Sequence, residues 1–188
     1  MAERPGDTRA RIKEVALELF TEHGYEQTSL REIAERLGVT KAALYYHFKS
    51  KDEIVHAFVE DRLHAVDELI AWAREEPPGP ETRRMIMRRY ADDLDADQHQ
   101  PIMRFFEQNQ ATLKTMPAGQ MFRDRVLRLV DVLAGPDAPT ADHMRAAMAV
   151  FALQTSWFVI RDPEVTDKQR REVALDVAYE ILDLIGRG

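Results

Sequence analysis

The 188-residue sequence predicts an all-α protein, with an N-terminal three-helix helix-turn-helix domain followed by a C-terminal helical bundle. Three observations carry that reading. Apolar residues recur at helical spacing along the chain, and no segment alternates apolar and polar residues for long between turn residues. Glycine or proline clusters stand where one helical pattern stops and the next begins.

The elements follow in order. Ile12, Val15, Ala16, Leu19 and Phe20 fall at i, i+3, i+4, i+7 and i+8, giving a first helix with one apolar face that His23-Gly24 ends. A second helix opens at Thr28 or Ser29, where Ser29 and Glu32 have the spacing of a capping box. Its apolar face is Leu30, Ile33, Ala34 and Leu37, and Gly38 stops it. Thr40 caps a third helix with Leu44 and Phe48 inward, and Lys51 begins a fourth that reaches Trp72–Glu75. EEPPGP (75–80) is the clearest linker, and Pro101 suits the first turn of a helix through Ile102, Phe105, Phe106, Asn109 and Leu113. MPAG (116–119) and AGPDAPT (134–140) bracket another helix. Two more are expected over Thr140–Ile160 and Thr166–Ile185, joined by RDPEV, with Thr166 and Gln169 as a second capping box. The domains expected are 1–52, helix-turn-helix with the start of the fourth helix at its end, and 53–188, a helical ligand-binding and dimerisation domain.

Within this frame the stretch Gly38 to Lys51, GVTKAALYYHFKSK, carries chemistry. Its charges are Lys41, Lys49 and Lys51, with no carboxylate until Asp52, beside two tyrosines, a histidine, a threonine and two alanines. Cations and hydroxyls suit phosphates, and small side chains let a helix backbone approach base edges. The net charge of −7 opposes DNA binding as a sum, yet residues 1–52 hold nine Lys and Arg against nine Asp and Glu, so all the excess acid lies beyond them. An acidic body repels DNA except at the basic face and favours one docking orientation; equally it aids solubility.

Composition bounds the rest. Zero cysteines exclude disulfides and thiolate chemistry, no apolar run approaches the ~18 residues of a bilayer span, and MAERPGDTRAR lacks a signal peptide's apolar core. A cytoplasmic location is therefore expected. No GxSxG, HExxH or phosphate-binding glycine loop occurs, which argues against an enzyme, and no cofactor or metal is expected. His56, Glu60, His64 and Glu68 share one face of the fourth helix at metal-ligand spacing, but a solvated polar face opposite Phe58, Leu63 and Val66 explains them as well.

Arg9 to Ile54 resembles the DNA-binding domain of the TetR family of bacterial transcriptional regulators, in ALELFTEHGYEQTSL and REIAERLGVTKAALYYHFKSKDEI. The spacing of Phe20, Gly24, Thr28, Ile33, Ala34, Gly38, Val39, Leu44, Tyr45, Phe48 and Lys51 carries the match without a gap. The resemblance implies that Thr40 meets a phosphate and that Lys41, Ala42 and Ala43 face the major groove, lysine toward guanine and alanine toward a thymine methyl. It implies a backbone clamp from Tyr45, Tyr46 and His47, a phosphate contact from Lys51, and a base or phosphate contact from Arg31. Against these stand plainer roles: one of the adjacent tyrosines as a core aromatic, His47 as a cap, Arg31 as a solvated charge. Many relatives carry glycine where Ala42 sits, so base preference is not carried over.

The same resemblance implies a homodimer on a near-palindromic DNA operator, and the last two helices suit that interface. Met144, Ala147, Met148, Phe151, Thr155 and Phe158 form one stripe, and Val150, Leu153, Trp157 and Ile160 a second. Ala174, Val177, Ala178, Ile181 and Ile185, beside Leu175 and Leu182, repeat the pattern. A helix apolar on two sides is either deeply buried or shared between core and partner. For a small hydrophobic or aromatic effector the candidates are Phe105, Phe106 and Asn109, then Phe151, Gln154, Thr155 and Phe158, with Trp72, Tyr90 and Met103; each also reads as core. The function expected is a ligand-responsive DNA-binding repressor; the alternative is a helical sensor that no longer binds DNA.

Overall fold

The computed structural model describes residues 5–94, 102, 104, 105, 108, 109, 112 and 115–187. Among the described residues there are eight helices and no strand: α1 (Pro5–Glu22), α2 (Leu30–Leu37), α3 (Lys41–His47), α4 (Lys51–Glu75), α5 (Pro80–Leu94), α6 (Pro117–Ala134), α7 (Thr140–Val159) and α8 (Asp167–Leu182). The all-helical reading holds, and α5 fills the stretch after the proline-rich linker that the sequence left unassigned, with Pro80 at its first position.

The chain forms two compact units, Met1–Arg62 with Gln98–Phe122, and Leu63–Asp97 with Arg123–Gly188. The sequence boundary at 52 therefore falls within the first unit.

In the first unit local chemistry sets each helix end. Gly24 sits at φ 89 and Gly38 at φ 69, left-handed conformations that a side chain would strain. Ser29 and Glu32 form the expected capping box, and the Gly38 amide turns back to the carbonyls of Ala34 and Glu35. The buried Thr28 hydroxyl donates to the carbonyls of Gly24 (2.9 Å) and Leu19 (3.2 Å), fixing the turn between α1 and α2. The core takes Ile12, Ala16, Leu19, Phe20, Ile33, Ala34, Leu44, Phe48, Ile54 and Phe58, the inward positions that 3.6-residue periodicity selects. Phe105 joins it, with ring centroids 5.7 Å from Phe20, 6.2 Å from Tyr25 and 5.5 Å from Phe58.

The second unit is built on α7 and α8, the most extensively packed helix pair, with α5 against both. Ala146, Ala149 and Val150 face inward on α7, and Ala174, Leu175 and Ala178 on α8; these mostly small side chains let the helices approach closely. Ile86, Met87 and Ala91 of α5 and Leu129, Leu133 and Ala134 of α6 complete the core. Thr166 and Gln169 cap α8 as the sequence predicts. Asp142, at the start of α7, is buried; it accepts from Arg145 (2.5 Å) and from the Gly186 amide (3.1 Å), which ties the chain beyond α8 to α7.

Candidate nucleic-acid interface

The site is α3 and the residues that hold it. Thr40 closes its N-terminus by accepting from the Ala43 amide at 3.2 Å. Of its seven residues only Leu44 is buried, and with the following Phe48 it pins the helix to the core. Lys41, Ala42, Ala43, Tyr45 and Tyr46 all face solvent, Tyr46 at 79% exposure. A phenol so exposed contributes little to folding, which favours an external partner. The Lys41 ammonium lies 5.4 Å from the Tyr45 ring centroid, and the Tyr46 and His47 rings meet edge-on at 5.3 Å. No acidic residue lies in the first turn of α3. The flanking acids are engaged: Glu35 accepts from Arg31 at 2.7 Å, Asp52 from the Tyr25 hydroxyl, and Glu53 from the Lys49 amide.

The structure thus gathers Thr40, Lys41, Ala42, Ala43, Tyr45 and Tyr46 on one exposed helix, with half-buried His47 at its end. Arg31 is exposed on α2 but hydrogen-bonded to Glu35, and it would have to leave that partner to reach DNA.

Lys51 is corrected. Its ammonium is half-buried and turned inward, donating to the carbonyls of Tyr25 (2.5 Å) and Glu26 (3.3 Å), 4.3 Å from the Tyr25 ring centroid. With three N–H groups and two pointed at carbonyls, it fastens the α1–α2 turn to the start of α4. Burial, and then the bond to Asp52, push the Tyr25 phenol well above its ordinary range, so it stays a donor at any working pH. Sequence reasoning missed Arg9 and counted Lys49 only among the charges of the Gly38–Lys51 stretch. Arg9 donates to the His47 carbonyl at 3.3 Å, and the Lys49 ammonium to the Tyr45 carbonyl at 2.5 Å. The available signal was the positive charge of Lys49 just after a short helix's C-terminus; Arg9, 38 residues before its acceptor, gave none.

The effector candidates are scattered. Phe105 is core of the first unit, and Asn109 beside it donates to the Phe105 carbonyl (2.9 Å) and accepts from the Tyr25 amide (3.4 Å), so its amide is satisfied by protein. In the second unit Gln154 donates to the Tyr90 hydroxyl at 2.7 Å, both buried, each answering the other's polar group. Trp72 lines a shallow surface cleft with Leu69 and Asp92 and carries the Arg89 guanidinium 3.6 Å from its ring centroid. Phe151 is exposed, and Thr155 donates to the Phe151 carbonyl. Met103, Phe106 and the side chain of Phe158 lie outside the described residues. A separate cleft of about 370 Å³ opens between the ends of α4 and α6 and the start of α5, lined by Ala73, Thr82, Arg83, Ile86, Val132 and Pro136. The sequence marks its rim only as the two proline-rich breakers.

On α4, His56 pairs with Glu60 (3.6 Å) and His64 with Glu68 (3.4 Å), all exposed or half-buried. Among the described residues no three such side chains converge as a metal site would require, and no helix is long and apolar enough to cross a membrane.

Comparison with known proteins finds a family model that spans the exposed helix. Residues 12–58 match the model of bacterial regulatory proteins of the tetR family. The chain is 42% identical over 73 residues to the HTH-type transcriptional regulator TtgR of Pseudomonas putida, across 39% of this chain and 34% of that protein. It thus spans about a third of the length of such curated relatives. It is 27% identical to the HTH-type transcriptional regulator TcmR of Streptomyces glaucescens, over 93% of this chain and 82% of that one. Among solved structures, a SmeT–triclosan complex superposes with a TM-score of 0.67 at 26% identity, covering 93% of this chain and 90% of that one. Both curated relatives are HTH-type transcriptional regulators.

Proposed function

We propose that the chain is a sequence-specific DNA-binding transcriptional regulator, since residues 12–58 match the model of bacterial regulatory proteins of the tetR family. It acts in the cytoplasm as a repressor, binding a near-palindromic operator as a homodimer and leaving it when a small hydrophobic or aromatic effector binds. The observation that carries the reading is the outward face of α3: two tyrosines, a lysine and two alanines presented without a carboxylate on a helix whose buried anchors are Leu44 and Phe48. Lys41, Ala42 and Ala43 are the base readers, and Thr40, Tyr45 and Tyr46 hold phosphates.

The homodimer is supported by the outer faces of α7 and α8. Met144, Met148 and Phe151 follow one another at i, i+4 and i+7, and Val173 and Val177 at i and i+4. All five are exposed, Met144 at 61%, while the inward residues of the same helices are buried. Such a strip on two packed helices fits a self-complementary, four-helix contact between copies.

The effector reading is supported by the likeness to a protein solved with triclosan. The effector acts by favouring one of two separations of the recognition helices, so ligand and operator weaken each other's binding equally. α4 is the natural lever, since its residues to Arg62 belong to the first unit and those from Leu63 to the second. The test is selection from a random duplex library by the purified chain, beside Lys41→Ala/Tyr46→Ala. The reading predicts one enriched motif, lost in the double variant; equal enrichment by both proteins would refute it.

A further inference from the structure

We propose that Arg9 is a positioning residue: with Lys49 it caps the C-terminal end of α3 and holds that helix in register for base reading, an inference that rests on the DNA-binding reading above. α3 has seven residues, far too few for a stable isolated helix, and its only buried residue is Leu44. Its shape must therefore be imposed from outside.

At the N-terminal end Thr40 supplies the cap. At the C-terminal end the last carbonyls have no partner within the helix and carry partial negative charge. The Phe48 amide answers the Leu44 carbonyl at 3.0 Å. The Lys49 ammonium answers Tyr45 and the Arg9 guanidinium answers His47, so two of the remaining carbonyls each meet a cation. Arg9 also lies 4.3 Å from the centroid of the Phe48 ring, and Phe48 is the residue that ends α3 and enters the core. A planar guanidinium can stack on that ring and donate in its own plane at the same time, which an ammonium cannot reproduce in full. Arg9 belongs to α1, 38 residues before its acceptor, so the contact fixes α3 to a different helix. The residues it steadies are Tyr45, Tyr46 and His47.

The test compares wild type with Arg9→Met, which keeps an apolar stem on Phe48, and with Arg9→Lys, which keeps a charge. Amide hydrogen exchange at Leu44 and Phe48 reads the cap without DNA. Binding is measured on the duplex selected by wild type and on a scrambled duplex of equal length, across a salt series. Arg9→Met should speed exchange at both amides and weaken the selected duplex roughly three- to fivefold. It should leave the scrambled duplex and the salt slope unchanged, and Arg9→Lys should recover part of both losses. Unchanged exchange overturns the cap. Equal loss on both duplexes, with the salt slope falling by about one, would make Arg9 a phosphate contact instead. Failure of wild type to select any duplex condemns the DNA-binding reading, while exchange still decides the cap.

Discussion

Two regions of this molecule hold large side chains out to solvent, and they do it differently. α3 exposes Lys41, Tyr45 and Tyr46, each with a polar or charged tip. The outer faces of α7 and α8 expose Met144, Met148, Phe151, Val173 and Val177, with none. The first set suits a hydrated, charged partner, because every contact can end in a hydrogen bond or an ion pair. The second suits a dry partner, because only removal from water stabilises it. Exposure alone signals a partner; the chemistry of the exposed tips says which kind.

The predictions turn on keeping those two faces separable. The largest effect is expected at the apolar strip. Phe151→Asp with Val177→Asp places unpaired charges where two copies would meet, a strongly unfavourable burial. Sedimentation should show a dimer becoming a monomer, with the helical circular dichroism unchanged. A double variant that still dimerises would place the contact elsewhere.

On the other face, Tyr46→Ala should weaken the selected duplex about tenfold, the loss of a charge-assisted hydrogen bond, with the thermal midpoint unmoved. A large fall in midpoint would instead make Tyr46 a structural residue. Lys41 and Lys51 divide similarly. Lys51→Met should cost about 1 kcal/mol of stability in denaturant because it removes bonds to the Tyr25 and Glu26 carbonyls. Lys41→Ala should leave stability alone and relax sequence preference; reversed outcomes would exchange the two assignments.

The smallest effect is electrostatic. The Arg145 hydrogen bond, then the Gly186 amide, hold the Asp142 carboxyl below its usual range despite burial. A carboxyl with a lowered folded pKa adds stability above its unfolded value of about 3.9, and that stability fades as pH falls through the lower folded value. Asp142→Asn should therefore flatten the acid limb of the stability profile below about pH 4 and change it little near neutrality. A profile parallel to wild type across the acid limb would remove this contribution.

Much of the fold was legible because it depends on neighbours in sequence. Ser29 with Glu32, Thr166 with Gln169 and Gly38 after Leu37 act within four residues, and the observed caps match. Leu44 and Phe48 point inward as their spacing requires. What was not legible depends on partners far along the chain. Lys51 looks like a free cation beside a helix until the Tyr25 and Glu26 carbonyls, about 25 residues earlier, are placed beside it. Asn109 looks like an amide in search of a ligand until Tyr25, 84 residues away, supplies its backbone amide. Phe105 reads as pocket wall or, more readily, as core, and it lies buried against three other aromatic rings. Side-chain chemistry identified the α3 face; only tertiary placement separated the residues that face outward from those that hold it.

The central claim is that one face reads DNA while the other joins two copies, and stoichiometry on DNA tests both together. Sedimentation of wild type with the selected duplex should give two chains per duplex, and a duplex carrying only one half-site should bind far more weakly. One chain per duplex, with equal affinity for the single half-site, would contradict the account.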